Sequence, residues 1–477
     1  MSTMRICPDI SRIIPSLYRI YATRLLAAVC ILCFSGRISG YDYTPFVENP
    51  FARAREINHD LPVFRYGGFY QAGYFYHIVS KNETLFIIAK NYLPFTAFFN
   101  IEELTAEIKK INNIGNVRSM NNAYLRIPII RQDTVTVKSI PRDPGFFSVG
   151  FYLTAITAGS GRGMEIIRTC SRLGANTVIF DLKDEWGNVY IDVKSPRVRQ
   201  HGAVKTYFIR DLPKLIHFAH QKKIHAVARV TVFADKHLAQ TVGMYCLKDT
   251  DGNPIASENR IFWTDPTHPE VRQYNYDIIA EICQSGVDEI QLDYIRFPSF
   301  YGELATWEKN NIPRDIIITS FIQDIHTLTR SHNILLSVDV FGITIWEKEI
   351  DIQIIGQRLA AIAQFCDSIN PMIYPSHFAP GFAGFDNPAA HPRTIIAMAA
   401  ERLKTILSDT RRNPVIRPWI QAFPYGLETL NTEYIQQSIH GVMDQQCAGY
   451  YFWSPGNIYT TAFRALHNGI PGLHEPL

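Results

Sequence analysis

Charged residues, membrane-length apolar runs and cysteine motifs are all scarce in this 477-residue sequence. Charged side chains make up 19% of the chain and the formal net charge is +3, which excludes the strongly basic surface of a nucleic-acid-binding protein. After residue 40, no run approaches the roughly 18 apolar residues of a membrane span. Hydrophobic residues make up 47% of the chain, which predicts a sizeable core and no long disordered tracts.

Known metal and catalytic motifs are absent as well. Three of the 8 cysteines lie in the first 40 residues, and the others are widely spaced without CxxC pairs. We expect those others to be buried small hydrophobic residues rather than a disulfide or metal framework. HExxH, GxSxG and a lysine-bearing phosphate loop do not occur, so the sequence does not favour a zinc peptidase, a serine hydrolase or a kinase. No cofactor and no metal site are implied.

The first 40 residues have the composition of an export signal. Four arginines precede a short apolar run at 25–34, and small residues follow at Ser39 and Gly40, where a signal peptidase would cut. A run of about ten residues is too short to span a bilayer comfortably. Because the basic stretch is long, an uncleaved N-terminal anchor is the alternative to a cleaved signal peptide. We therefore expect an exported protein that is periplasmic, associated with the cell envelope or secreted.

Residues 76–130 have the pattern of a small α+β module. Short β-rich runs at 76–79 and 125–130 flank two amphipathic helical patterns, at 83–92 and 101–111. The predicted order is therefore strand, helix, helix, strand.

The stretch YHIVSKNETLFIIAKNY and the later LRIP resemble the opening and closing parts of a LysM domain. The resemblance implies that the module binds peptidoglycan, chitin or another glycan that contains N-acetylglucosamine, through Asn82, Glu83 and Thr84. The Gly-Asp turn of that family is Asn82-Glu83 here, and asparagine tolerates the left-handed backbone of such a turn. The alternative is a structural spacer without a ligand. A segment at 41–75 precedes the module, and a polar segment with two prolines at 131–146 predicts a linker.

From residue 147 to residue 477, β-rich apolar runs alternate with helical patterns. The runs begin at residues 148, 176, 224, 288, 334, 366, 414 and 448. Alternating strands and helices favour a parallel sheet, and eight such units favour an α/β fold of the (β/α)8 TIM-barrel type. An open doubly wound sheet is the alternative, but the glycines that follow the first run do not form GxGxxG.

Each predicted barrel strand changes from apolar to polar near its carboxyl end, where TIM barrels carry their active sites. Asp293 and Asp339 fall at equivalent depths on the fourth and fifth strands, inside apolar runs. Strands lie about 4.8 Å apart, so these carboxyl groups could reach the separation of about 5–5.5 Å that retaining glycosidases use. We assign Asp293 as the nucleophile, which neighbouring arginines keep ionised, and Asp339 as the acid/base residue, whose pKa an apolar setting raises.

Other assignments of the acid remain open, because Asp184, Glu185 or Glu347 could supply it and the roles of Asp293 and Asp339 could be reversed. Further polar and aromatic residues at or near the strand ends are candidates to bind substrate. They are Asp181, Asp184, Arg229, Arg296, Asn370, Tyr374, His377, Gln421 and Trp453.

The stretches VIFDLKDEWG, EIQLDYIRFP, LSVDVFG, INPMIYPSHF and YYFWSP resemble a bacterial family of "putative glycosyl hydrolase" domains with a TIM barrel and unknown substrate. More distantly, the barrel resembles α-amylase-like enzymes, in which an aspartate on the fourth strand is the nucleophile, as proposed for Asp293. Those enzymes place a glutamate after the fifth strand, where this chain has Asp339. Chitinase chemistry is disfavoured, because the fourth strand lacks the glutamate that ends DxxDxDxE.

The sequence therefore predicts an exported glycoside hydrolase that acts on a bacterial cell-wall or extracellular polysaccharide. The alternative is a non-catalytic polysaccharide- or peptidoglycan-binding envelope protein on a degenerate barrel. A carbohydrate lyase or deacetylase is a third possibility.

Overall fold

The computed structural model describes residues 68–71, 74–93, 96, 98–99, 101–114, 124–128, 146–205, 208–257, 260–306 and 312–468. The predicted export segment, most of the segment at 41–75 and all but the last residue of the predicted linker lie outside the described residues. The chain divides into two compact units, one that holds the described residues up to 128 and one that holds those from 146.

The N-terminal unit combines a three-stranded antiparallel sheet with two helices. The elements are β1 (Gly68–Gln71), β2 (Tyr74–Ile78), α1 (Leu85–Tyr92), α2 (Ile101–Asn112) and β3 (Tyr124–Ile127). The strand order in the sheet is β1-β2-β3, with β2 in the middle. The predicted order of strand, helix, helix, strand is present from β2 to β3, and β1 adds a hairpin partner that the sequence pattern did not indicate.

The turn before α1 uses the three residues that the LysM resemblance singles out. Asn82 has a left-handed backbone, with φ at 70°. Glu83 Oε2 lies 2.8 Å from His77 Nε2 and accepts a hydrogen bond from the backbone N–H of Ser80 at 3.0 Å. The Thr84 hydroxyl caps α1 by accepting from the N–H of Ile87. All three residues thus shape this turn, and their contact with a glycan stays a prediction.

The C-terminal unit is a closed barrel of eight parallel strands. The strands are β4 (Ser148–Leu153), β5 (Thr177–Lys183), β6 (His225–Thr231), β8 (Glu289–Asp293), β10 (Leu335–Phe341), β11 (Ser368–Met372), β12 and β13 (Val415–Ile416 and Trp419–Gln421) and β14 (Gly449–Trp453). The sheet runs β10-β8-β6-β5-β4-β14-β13-β11, and β10 pairs with β11 to close the ring. Two short segments, β7 (Lys248–Asp249) and β9 (Leu304–Ala305), pair outside the barrel. The predicted TIM barrel is confirmed.

Helices alternate with the barrel strands, as the sequence pattern predicts. They are α3 (Ala155–Ala158), α4 (Gly161–Arg172), α5 (Pro196–Arg199), α6 (Leu212–Gln221), α7 (Lys236–Thr241), α8 (Pro269–Cys283), α9 (Arg314–Ser331), α10 (Glu349–Ile355), α11 (Leu359–Ile362), α12 (Pro392–Ser408), α13 (Thr432–Asp444) and α14 (Thr460–His467). Between the fifth and sixth barrel strands the helical segment is divided into two short helices, α10 and α11. Gly356 separates them with φ at 77°, a left-handed conformation that ends α10.

The strands are covered on both faces, and this explains their long apolar runs. Every residue of β5 and of β6 is buried. The seventh barrel strand is interrupted between β12 and β13, because Pro418 has no backbone N–H to donate to a ladder. Its carbonyl still accepts from the N–H of Tyr451 at 2.9 Å, so the strand continues across the break.

The five cysteines of the barrel are all buried and unpaired, as expected for small hydrophobic residues. None of the helices in the described part of the chain is long and apolar enough to cross a membrane.

Candidate active site

Strand register brings Asp293 and Asp339 side by side. Val338 on β10 pairs with Leu292 on β8, and the next residue on each strand is the aspartate. Asp339 itself pairs with Asn370 on β11. Residues in register on neighbouring strands face the same side of a sheet, so both carboxyl groups point into the barrel. This agrees with the equal depths that the sequence predicts.

Asp293 is held by three N–H donors. Arg229 donates to its Oδ2 from Nε at 3.0 Å and from Nη2 at 2.6 Å. The backbone N–H of Tyr294 donates to Oδ1 at 2.6 Å. Tyr294 has a left-handed backbone, with φ at 49°, which is unfavourable for a bulky side chain. Both oxygens of Asp293 therefore accept hydrogen bonds, and two of the three donors belong to a cationic side chain.

Arg229 also links Asp293 to the second strand. Its Nη1 donates to Asp181 Oδ1 at 2.6 Å, and the Tyr152 hydroxyl donates to Asp181 Oδ2 at 2.7 Å. The guanidinium carbon lies 5.3 Å from the centre of the Trp453 ring. The result is a buried chain of four polar groups from Tyr152 to Asp293 across the first four barrel strands. Burial raises the pKa of Asp181 to about 7, against the opposing effect of the Arg229 charge.

Asp339 lies in a different environment, with 1% of its surface exposed. Its Oδ1 accepts from Trp419 Nε1 at 2.9 Å and from Asn370 Nδ2 at 3.3 Å. Its Oδ2 is buried without a hydrogen-bond partner among the described residues. Burial, together with the negative charge of Asp293, raises the pKa of Asp339 well above its usual range. The surroundings of Asp339 therefore favour its protonated form.

Arg296, expected beside Asp293, makes its contacts elsewhere. Its guanidinium lies over the rings of Trp263 and Phe341, at 4.9 Å from each centre, and Nη1 donates to the carbonyl of Phe297. The charge of Asp293 acts on it only through space. The cation in direct contact with Asp293 is Arg229. Arg229 lies on the neighbouring strand β6, and its side chain points into the barrel.

Three aromatic and amide candidates surround the carboxyl groups. Asn370 also accepts from the hydroxyl of Ser368 at 2.7 Å. Tyr374 is buried and packs with Trp419 at the carboxyl end of the barrel. Trp453 is half-buried and lies against Tyr152, with ring centres 4.1 Å apart. The predicted group of Asp181, Arg229, Asn370, Tyr374 and Trp453 is thus gathered around Asp293 and Asp339.

Gln421 and His377 lie nearer the rim. The Gln421 carbonyl accepts from Ser376 at 2.8 Å, and its amide donates to the carbonyls of Phe423 and Tyr425. Its polar atoms are thus used within the protein. His377 is exposed, and its ring contacts those of Tyr425 and Phe423.

The alternative acids differ sharply in their surroundings. Both oxygens of Asp184 are occupied, by Asn188 and by the Tyr190 hydroxyl at 2.6 Å. Glu347 is exposed and has a left-handed backbone beyond the fifth barrel strand. Glu185 is half-buried, and burial raises the pKa of Glu185 while the nearby Arg229 opposes that shift. Glu185 interacts electrostatically with both Arg229 and Asp293, and its carboxyl is not tied to another side chain as that of Asp184 is.

Sequence reasoning missed Tyr152, Tyr294 and the contact from Trp419. Side chains alternate between the two faces of a strand, and this alternation would have identified Tyr152. Tyr152 points inward near the end of the first barrel strand. No sequence signal marks the left-handed Tyr294, since the conformation depends on the loops that pack around it. Among the described residues, no group of three or more histidine, cysteine, aspartate or glutamate side chains is arranged to hold a metal ion.

Comparison with known proteins supports a carbohydrate-active barrel. A family model described as "Putative glycosyl hydrolase domain" matches residues 150–459, well over half of the chain. No curated protein matches the chain.

Among solved structures, the glycoside hydrolase domain of PgaB (BpsB) from Bordetella bronchiseptica is 12% identical, with a TM-score of 0.52, and covers 68% of this chain and 98% of that one. A hypothetical protein from Ruminiclostridium thermocellum is 28% identical over 40% of this chain and 97% of that one, with a TM-score of 0.36. The spore cortex-lytic enzyme SleL from Bacillus megaterium is 10% identical over 88% of this chain and 92% of that one, with a TM-score of 0.40. The PgaB similarity bears on the fold alone.

Proposed function

This chain belongs to the family described as "Putative glycosyl hydrolase domain", and from that premise we propose that it hydrolyses a bacterial cell-wall or extracellular polysaccharide through Asp293 and Asp339. The observation that carries the proposal is the contrast between two neighbouring carboxyl groups. Asp293 receives three N–H donors, whereas Asp339 has a buried oxygen without a partner among the described residues. Glycosidases need one ionised and one protonated carboxyl group, and we assign Asp293 to the first role and Asp339 to the second.

In the proposed reaction, the Asp293 carboxylate attacks the anomeric carbon as the glycosidic C–O bond breaks. Asp339 transfers its proton to the departing oxygen. The resulting carboxylate of Asp339 then removes a proton from water, which attacks the same carbon and releases Asp293. Arg229 binds the attacking carboxylate and fixes its orientation.

The polysaccharide assignment draws further support from the sequence outside the barrel. We propose export on the composition of residues 1–40, and retention on a glycan that contains N-acetylglucosamine on the LysM resemblance of residues 76–130. Peptidoglycan is consistent both with export and with binding to a glycan that contains N-acetylglucosamine.

The test is a panel of soluble peptidoglycan fragments and oligomers of β-1,4-linked N-acetylglucosamine and mannose, with release of reducing ends as the readout. We expect the wild type to release reducing ends from at least one glycan, and both Asp293→Asn and Asp339→Asn to lose that activity. If the wild type and both variants are equally inert yet bind a glycan alike, the hydrolase proposal fails and the non-catalytic binding protein replaces it.

A further inference from the structure

A tight turn after the second barrel strand carries Glu185, which interacts electrostatically with Asp293, and the adjacent Trp186. The N–H of Gly187 donates to the carbonyl of Asp184 at 3.0 Å, which closes the turn. Gly187 has φ at 81°, and a Cβ there would stand 2.1 Å from Asp235 Oδ1, so both backbone and space require glycine. We call residues 184–187 the acidic turn.

The acidic turn is fixed from several directions. The carbonyls of Glu185 and Trp186 accept from the first two N–H groups of α7, those of Lys236 and His237, at 3.2 and 3.1 Å. Asp235 precedes these residues and forms a fully buried ion pair with Lys183, at 2.9 Å. The backbone is therefore held rigidly, as a preorganised binding element requires.

The acidic turn exposes a large aromatic side chain that is not buried in the barrel core. Trp186 is 44% exposed, and the ammonium of Lys236 lies 4.6 Å from the centre of its ring. Because nearly half of Trp186 is exposed, part of the indole surface is available to a ligand. Within the described residues, the Glu185 carboxyl is hydrogen-bonded by the backbone of its own residue and by no other side chain. It interacts electrostatically with Arg229 and Asp293.

We propose that the acidic turn is a sugar-binding subsite beside Asp293, where Trp186 stacks on a pyranose ring and Glu185 accepts hydrogen bonds from its hydroxyl groups. The inference rests on the proposed glycosidase function and adds a specificity site to it. A flat apolar ring beside a hydrogen-bond acceptor matches a neutral hexopyranose, which has an apolar face and equatorial hydroxyls. The subsite does not include Asp293 or Asp339. Its loss should therefore weaken substrate binding more than it slows the chemical step.

The test measures binding on the full chain that carries Asp293→Asn, so that no probe is cleaved. The probes are tetrasaccharides of β-1,4-linked N-acetylglucosamine and mannose and a soluble peptidoglycan tetrasaccharide, titrated by calorimetry. For a probe that binds, adding Trp186→Ala should raise Kd about tenfold, and Glu185→Ala should act similarly, because each removes about 1.4 kcal/mol of contact. Trp186→Phe and Glu185→Gln keep a flat ring and an acceptor, and we expect Kd within about threefold of the parent.

The experiments distinguish failure of the proposed subsite from failure of the proposed hydrolase activity. If the wild type hydrolyses a glycan but Trp186→Ala and Glu185→Ala leave both its KM and the Kd unchanged, the subsite is refuted and the hydrolase stands. If Glu185→Ala loses kcat on the glycan but keeps it on a dinitrophenyl glycoside, Glu185 is the acid and its binding role is refuted. If no probe binds and none is hydrolysed, both proposals fail.

Discussion

Arg229 donates two hydrogen bonds to a single oxygen of Asp293, from Nε at 3.0 Å and from Nη2 at 2.6 Å. Its remaining terminal nitrogen donates to Asp181, so one guanidinium serves two buried carboxylates. A guanidinium has five N–H donors in a planar fork with fixed directions, which suits this bridging contact better than an ammonium with three donors. The orientation of the proposed nucleophile therefore depends on a residue of the neighbouring strand.

The first prediction concerns Arg229→Met. The variant leaves Asp181 and Asp293 buried without their cation, and we expect the free energy of unfolding at pH 7 to fall by about 3–5 kcal/mol. Urea denaturation followed by circular dichroism measures the loss. Arg229→Lys is the matched control, because it keeps the charge and should lose less stability while still losing activity. A Met variant as stable as the wild type would show that the bridge contributes nothing.

The second prediction follows from the raised pKa of Asp339. Between the ordinary aspartate value of about 4 and this raised pKa, the folded state binds more protons than the unfolded state, so stability falls as pH rises. The asparagine of the Asp339→Asn variant cannot ionise. As pH rises from 4 to 8, the free energy of unfolding of this variant should therefore increase relative to that of the wild type. The variant should also lose activity.

Thermal unfolding at both pH values tests this, with the exposed Asp386→Asn as the control that should leave the pH dependence as it is. Parallel pH profiles for the wild type and Asp339→Asn would mean that Asp339 ionises like an exposed carboxyl group.

The third prediction isolates the backbone strain at Tyr294, where φ is 49°. Glycine adopts this conformation freely and alanine does not, so Tyr294→Gly should be more stable than Tyr294→Ala by about 1 kcal/mol. Both variants lose the ring, so the difference reports the backbone alone. Tyr276 in α8 is the matched control, since there the alanine variant should be the more stable by a similar amount. The same order of stability at both positions would refute strain at Tyr294.

Much of this arrangement could be predicted from the sequence, because it follows from local patterns. Alternation of apolar β-rich runs with helical patterns predicts the barrel, and the depth of each aspartate within its run predicts that Asp293 and Asp339 are neighbours. The strand register agrees with both. Each of these features depends on periodicity within one element and on the rule that parallel strands end at one edge.

Other parts of the site depend on contacts between distant segments and left no local pattern. Trp419 donates to Asp339 across 80 residues of sequence, and the acidic turn is fixed by α7 about fifty residues later. Arg296 follows Asp293 closely in sequence, yet Arg229 on another strand binds it, because strand geometry and not sequence distance decides which side chains meet.

The most direct test of the central claim is to label the nucleophile. Once the panel has identified the cleaved sugar, the protein is incubated with the corresponding 2-deoxy-2-fluoro glycosyl fluoride, and its peptides are analysed by mass spectrometry. A retaining mechanism with Asp293 as nucleophile predicts one fluorosugar on the peptide that contains Asp293, and no label in Asp293→Asn. A label on Asp339 or on another residue, or an unlabelled enzyme that releases an inverted product, would contradict this mechanism.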